Sequence, residues 1–215
     1  MKKWMAGFGW LALFVLWTAA VCFVDVQPIG PMASSVGFAA VNGFVHDLTG
    51  VHFALYTATD WLGLVPVAFC IGFAVLGVNQ WVRRKRLTKV DGDLFVLGGF
   101  YVVVIAAYLF FEACALNFRP VLIEGRLEAS YPSSTTLLVL CVMVTSMIQL
   151  NGRMHSAVWK KAVLALLAAF TVFMVAGRLI SGVHWITDII GSGLLSAGLI
   201  TLYAAACETV NRKRK

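Results

Sequence analysis

AVLALLAAFTVFMVAGRLISGVHWITDIIGSGLLSAGLITLYAAAC, Ala162 to Cys207, is two apolar runs joined by a link that carries Arg178, His184 and Asp188. A bilayer-crossing helix needs about 20 mostly apolar residues. Ionisable side chains at membrane depth are costly, so those that occur there mark function by default. This stretch therefore sets two expectations, a helical membrane protein and a site at the turn between its last two spans.

The rest of the chain repeats the pattern. Of its 215 residues 60% are hydrophobic and only 13% charged, far from the balance of a soluble domain. Six spans are expected: Ala6 to Val24, Trp61 to Trp81, Leu94 to Leu116, Thr135 to Leu150, Ala162 to Val175 with its flanks, and Ile186 to Cys207. The fifth is expected to continue through Arg178. The first run is longer than a signal-peptide core and lacks a clear cleavage site, so it reads as a retained helix. The whole chain, 1–215, reads as one domain with no repeat.

Charge sets the expected orientation. Lys2 and Lys3, then Arg83, Arg84, Lys85, Arg86 and Lys89, then Arg153, Lys160 and Lys161, and finally Arg212, Lys213, Arg214 and Lys215 all fall on one side of a six-span plan. These are fourteen of the seventeen basic residues. Cytoplasmic loops accumulate such residues, so both termini are expected in the cytoplasm, with the site facing outward from a bacterial plasma membrane. The net charge of +7 does not indicate nucleic-acid binding, because the cations lie in short clusters between apolar runs. The five cysteines show no metal-ligand spacing and suggest no disulfide framework.

Three outer segments remain. Residues 25–60 form a loop with an expected interfacial or re-entrant helix. Residues 117–134 hold Arg119-Pro120 and end in Pro132-Ser133-Ser134, a hydroxyl N-cap whose free backbone N–H groups suit an anion. Residues 178–188 hold Arg178, a fork of donors for a phosphate or carboxylate, and His184 with Asp188 four residues on. If Val183 to Asp188 begins the sixth helix, the carboxylate lies one turn along and can hold one ring nitrogen while the other attacks or accepts a proton. The plainer alternatives are a helix cap for His184 and Asp188, a head-group contact for Arg178, and an ordinary cap for Pro132 to Ser134.

In order and spacing these residues resemble the three signatures of the type 2 phosphatidic-acid phosphatase superfamily. The first is a lysine, six residues and Arg-Pro; the second is Pro-Ser-Gly-His; the third is Ser-Arg, five residues, His, three residues and Asp. The resemblance implies a helical lipid phosphatase needing no metal or other cofactor, with His184 as the nucleophile forming a phosphohistidine and Asp188 orienting it. It implies that Arg119, Arg178, Ser133 and backbone donors near Ser134 hold the phosphoryl group. Four positions depart from the pattern, one of them Ser134 where the second signature has glycine. Gly177 replaces the serine, Glu112 replaces the lysine and is expected to pair with Arg119 or Arg178, and Thr135 replaces the general-acid histidine.

General acid catalysis contributes a factor of about 10² to 10⁴. A diphosphate has a weakly basic leaving group and depends on it least, which favours a polyprenyl diphosphate such as undecaprenyl diphosphate over phosphatidic acid. Water, Tyr131 or a hydroxyl near Thr135 is the alternative proton source. Two other readings stay open, a catalytically impaired relative that binds lipid phosphates or regulates, and a small transporter. Among minor features, Gly191, Gly193 and Gly198 read as close helix packing within the monomer, with a homodimer face as the alternative. Trp81, Trp159 and Trp185 read as interfacial anchors, and Glu124, Arg126 and Glu128 as a solvated patch.

Overall fold

The computed structural model describes residues 1–213 and is all-helical: α1 (Lys2–Phe23), α2 (Ala39–Thr49), α3 (Phe53–Leu62), α4 (Leu64–Arg84), α5 (Gly92–Ala113), α6 (Ser134–Arg153), α7 (Ala157–Ile180) and α8 (Ile186–Lys213). Six helical stretches, with α3 and α4 counted as one, are long and apolar enough to cross a membrane. The fourth and fifth spans are longer than the sequence alone delimits, and α7 runs past Arg178 as expected. Arg214 and Lys215, two of the basic residues in the charge partition, lie outside the described residues.

α6 and α8 form the centre, since half of each span is buried, whereas only 6% of the α3–α4 span is. Val67, Ile71, Val75 and Val78 of α4 are exposed, as suits a face turned to lipid. Small residues let helices close on one another. A Cβ on Gly7 would lie 2.5 Å from Leu202 Cδ2 and one on Gly198 2.6 Å from Leu11 Cδ2, so α1 packs directly on α8. Gly191 is covered by the Tyr131 ring, while Gly193 faces open space. The small residues of α8 thus serve packing within the chain at Gly191 and Gly198.

The two ends of the bundle differ. At the end carrying the basic clusters, Arg153 donates to Gln149 Oε1, Asp91 Oδ2 and Asp93, each at 2.9 Å. Arg84 adds a 2.8 Å bond to Asp91, and Gln149 donates to Tyr203 Oη at 2.6 Å. This network ties α4, α5, α6 and α8 together. Arg119, Arg126 and Arg178 lie at the opposite end.

Burial pushes the Asp91 carboxyl up, but its bonds from Arg153, Arg84 and Gln80 outweigh that and hold it well below the usual carboxylate range. A depressed carboxylate stabilises the fold above its unfolded value of about 3.9 and loses that contribution as pH falls through the folded value. Arg153→Met should therefore lower stability at pH 7 by about 1–3 kcal/mol. Its deficit against the parent should shrink in acid. Thermal unfolding of both proteins in detergent at neutral and strongly acidic pH checks this; a deficit that does not change with pH would remove Asp91 from the account.

Candidate functional site

The α7–α8 link is shaped by a tight turn. Gly182 has φ +68°, and a Cβ there would lie 1.9 Å from Gly50 O, so this position must be glycine on both conformational and steric grounds. Ser181 Oγ donates to Arg178 O at 2.8 Å, and His52 N–H, just before α3, donates to Ser181 O at 2.9 Å. The α2–α3 connection therefore lies directly on the link.

The sixth span begins at Ile186 as expected, three residues after the Val183 start on which a helical His184–Asp188 pair depended. This leaves His184 in the turn and puts Trp185 at the N-cap. Asp188, the third helical residue, accepts from Trp185 N–H at 2.9 Å through Oδ2, which is one half of a capping box. The same oxygen lies 3.4 Å from His184 Nδ1. The pair meets because the carboxylate reaches back over the cap, not because both residues are helical.

On the other side of the ring, Arg178 Nη2 lies 3.3 Å from His184 Nε2. A guanidinium only donates, so Nε2 is assigned as acceptor and Nδ1 as the protonated nitrogen facing Asp188. Burial, and then the positive fields of Arg119 and Arg178, hold the imidazole well below its ordinary value. His184 is thus neutral, with its lone pair turned to the arginine.

Asn42 of α2, fully buried, steadies the start of α8. Its Oδ1 accepts from Thr187 N–H at 3.3 Å, and its Nδ2 donates to Thr187 Oγ1 at 3.0 Å and to Gly37 O at 2.7 Å. Trp185 is buried rather than interfacial. Its indole N–H donates to Phe118 O at 2.7 Å and its ring packs on His46, which corrects the anchor reading and fixes the segment before Arg119. Trp81 and Trp159 are exposed as anchors would be.

Ser133 N-caps α6, its Oγ accepting from Thr136 N–H at 3.4 Å. Its own N–H goes to Asp188 O at 3.3 Å, and Ser192 Oγ donates at 2.9 Å both to Ser133 O and to Asp188 O. The first turn of α6 is thereby bonded to the first turn of α8. Ser133 is buried in this joint, whereas Ser134 and Thr135 face a cavity of about 650 Å³.

Arg119, Arg178 and Glu112 also border that cavity. The wall also carries apolar side chains, Leu64, Val104, Ile105, Leu109 and Leu138 among them. His184 and Asp188 lie behind Arg178, which touches both the cavity and the imidazole. Tyr131 is not on the wall. It is buried against Phe14, and its hydroxyl is 2.8 Å from Thr18 Oγ1.

Residues 25–60 do more than lie at an interface. α3 forms part of the site, with Tyr56 beneath both guanidinium groups, 4.9 Å from Arg178 and 5.8 Å from Arg119. Thr59 Oγ1 lies 3.5 Å and Asp60 Oδ1 3.6 Å from Arg178 Nη1. Glu128 Oε2 lies 3.2 Å from Arg119 Nε, so Glu128 belongs to the site and not to a solvated patch. The arginines therefore pair with Asp60 and Glu128, not with Glu112 as expected. A Cβ at Gly177 would lie 2.8 Å from the Thr59 methyl, which accounts for glycine at that position. Arg119 Nη1 and Arg178 Nε are buried without hydrogen-bond partners. Buried donors of this kind call for an acceptor. Among the described residues no group of three or more His, Cys, Asp or Glu side chains could hold a metal ion.

Comparison with known proteins agrees with this fold. A model described as the PAP2 superfamily matches residues 71–212. The fold is similar to a crystal structure described as the first transmembrane PAP2 type phosphatidylglycerolphosphate phosphatase from Bacillus subtilis, with a TM-score of 0.55 and 18% identity over 95% of this chain and 96% of the other. No curated protein sequence matches the chain.

If the link is as constrained as its contacts indicate, Gly182→Ala should cost more than the about 1 kcal/mol of a left-handed conformation alone, because the added methyl meets backbone. Asn42→Ala should cost about 1–3 kcal/mol by leaving buried groups unpaired. Thermal unfolding in detergent measures both. A Gly182→Ala midpoint equal to that of the parent would mean the turn is free to relax.

Proposed function

The chain belongs to the PAP2 superfamily and is by that membership a membrane lipid phosphatase; we propose that its substrate is a polyprenyl diphosphate such as undecaprenyl diphosphate, cleaved through a phosphohistidine on His184 at the outer face of a bacterial plasma membrane. The observation that carries this reading is the line of contacts from the cavity through Arg178 to His184 Nε2, and from Nδ1 to Asp188. A neutral imidazole whose Nε2 lone pair is released as Arg178 turns to the incoming phosphate is the form a phosphoryl transfer needs.

In the proposed reaction the terminal phosphate enters between Arg119 and Arg178 and takes over donors now facing Glu128 and Asp60. Nε2 attacks phosphorus, the bond to the bridging oxygen breaks, and that oxygen leaves with the electron pair as part of a lipid monophosphate. Asp188 compensates the positive charge that develops on the ring. Arg119, Arg178 and the first N–H groups of α6 stabilise the equatorial oxygens. Water then attacks the phosphohistidine, breaking the P–N bond, and its proton goes to a phosphate oxygen. Ser133 acts mainly by holding α6 to α8, which positions Ser134. Thr135 on the wall is no strong acid, and a phosphate leaving group needs none. The apolar wall suits the first isoprenoid units of the tail.

A second reading, a lipid-phosphate binder without turnover, is favoured by the carboxylates that already engage both arginines and by the threonine at position 135. Phosphate release from a panel of undecaprenyl diphosphate, undecaprenyl phosphate, phosphatidic acid and phosphatidylglycerol phosphate decides between them. Release is expected first from the diphosphate and is expected to vanish in His184→Ala; unchanged release in that variant overturns the nucleophile assignment. Thr135→His should raise turnover of the monophosphates by up to about 10²-fold while changing the diphosphate less. Because the imidazole is held well below its ordinary value of about 6.5, kcat/KM should persist as pH falls through that value and decline only below it. An acid limb at or above it contradicts the neutral, buried nucleophile.

A further inference from the structure

The two arginines on the cavity wall come from different elements, Arg119 from the loop before α6 and Arg178 from the last turn of α7. Both are buried. Two buried cations that face one cavity repel each other until an anion engages them. Asp60 and Glu128 offset part of this repulsion, at 3.6 and 3.2 Å. They cannot go on doing so in the proposed reaction, because a carboxylate that stays on its arginine competes with the phosphate for donors and repels it.

Tyr56 is a partner of another kind. Arg178 Cζ lies 4.9 Å and Arg119 Cζ 5.8 Å from the centre of its ring, both within the roughly 6 Å over which an aromatic face attracts a cation. That attraction comes from the ring quadrupole, which carries no net charge. The ring can therefore hold a guanidinium without repelling a phosphate. One side chain of α3 reaches both arginines in this way, and none of the signatures around Arg119, Ser133 and His184 includes it.

α3 is itself fixed against the helix that carries Arg178. The Thr59 methyl fits where Gly177 has no Cβ, 2.8 Å from where one would stand, and Leu55 Cδ1 lies 3.7 Å from the same point. His52 N–H donates to Ser181 O at 2.9 Å. Tyr56 sits between these anchors in sequence, so the origin of its ring is set before any ligand arrives.

We propose that Tyr56 is a positioning residue for phosphate binding, whose ring holds Arg119 and Arg178 together against their mutual repulsion as a pair that one phosphate can engage. The proposal rests on the lipid-phosphatase reading for the identity of the anion. Tyr56 forms no bond and transfers no proton. It keeps the two guanidinium groups in place while the phosphate replaces Asp60 and Glu128, which lowers the reorganisation that binding requires.

The test uses the full chain in nanodiscs, with His184→Ala to prevent turnover and inorganic pyrophosphate as the probe, titrated calorimetrically. Tyr56→Leu removes the aromatic face and should weaken binding by about fivefold to thirtyfold. Tyr56→Phe keeps the face and should recover most of that loss. Because leucine also changes the packing, Tyr56 is further replaced by phenylalanine carrying one, two and three ring fluorines, which drain the face and largely preserve the shape. Affinity should fall stepwise along this series, whereas a ring that merely fills space gives a flat one. A flat series, unchanged affinity in Tyr56→Leu, a loss in Tyr56→Phe as large as in Tyr56→Leu, or no pyrophosphate binding before position 56 is altered overturns the proposal. Phosphate release from the lipid panel separates it from the reading on which it rests. Release that needs His184, beside a flat fluorine series, leaves the phosphatase standing and removes the role of Tyr56. A stepwise series in a chain that hydrolyses no lipid phosphate leaves Tyr56 standing and removes the phosphatase.

Discussion

The carboxylate of Asp188 is the constraint on which the site depends. Through one oxygen it closes the first turn of α8 on Trp185 N–H and faces His184 Nδ1. The backbone of the same residue accepts from Ser133 N–H, so the start of α6 is held to the start of α8 at the residue that orients the imidazole. Helix capping and contact with the imidazole are therefore not rival explanations of Asp188. The cap positions the carboxylate, and the positioned carboxylate lies 3.4 Å from the ring nitrogen assigned the proton.

Arg178 presents the complementary problem. A guanidinium that is only 1% exposed needs partners, and it has the Tyr56 face, Thr59, Asp60 and His184 Nε2 around it. All are loose, since the ion pair spans 3.6 Å and the contacts to Thr59 and His184 3.5 and 3.3 Å. A partner at that distance restrains the arginine while leaving an anion, a phosphate in the proposed reaction, able to displace it at small cost. Short, saturated bonds would stabilise the empty site further and oppose the exchange.

The sequence made the spans legible because apolar runs broken by basic clusters leave few alternatives. It also made Arg119, Arg178, His184 and Asp188 legible, because charge stands out in such a chain. The α3 contribution was not legible. Tyr56, Thr59 and Asp60 precede an apolar run and look like the end of a loop; only the three- and four-residue spacing from Tyr56 to Thr59 and Asp60 hinted at a shared helical face. Asn42 gave no signal, because its partner Thr187 lies 145 positions away and no local pattern encodes such a bond. Glu128 was misplaced because Arg126 and Glu124 beside it suggested a solvated cluster, whereas the hairpin joining Arg119 N–H to Glu128 O turns that side chain inward.

The same pairing of arginine and carboxylate does different work at the two ends of the bundle, and the difference lies in how completely each guanidinium is satisfied. Arg153 places Nε, Nη1 and Nη2 on Gln149, Asp91 and Asp93 at 2.9 Å. With four of its five N–H groups engaged and each nitrogen paired, it has little to offer a ligand, and it serves as a brace between helices. Arg178 and Arg119 each keep a buried donor without a partner. Unsatisfied buried donors destabilise a fold, so they persist where an acceptor completes them part of the time. Satisfaction of the guanidinium, more than its burial or its charge, separates the structural end of this protein from the chemical one.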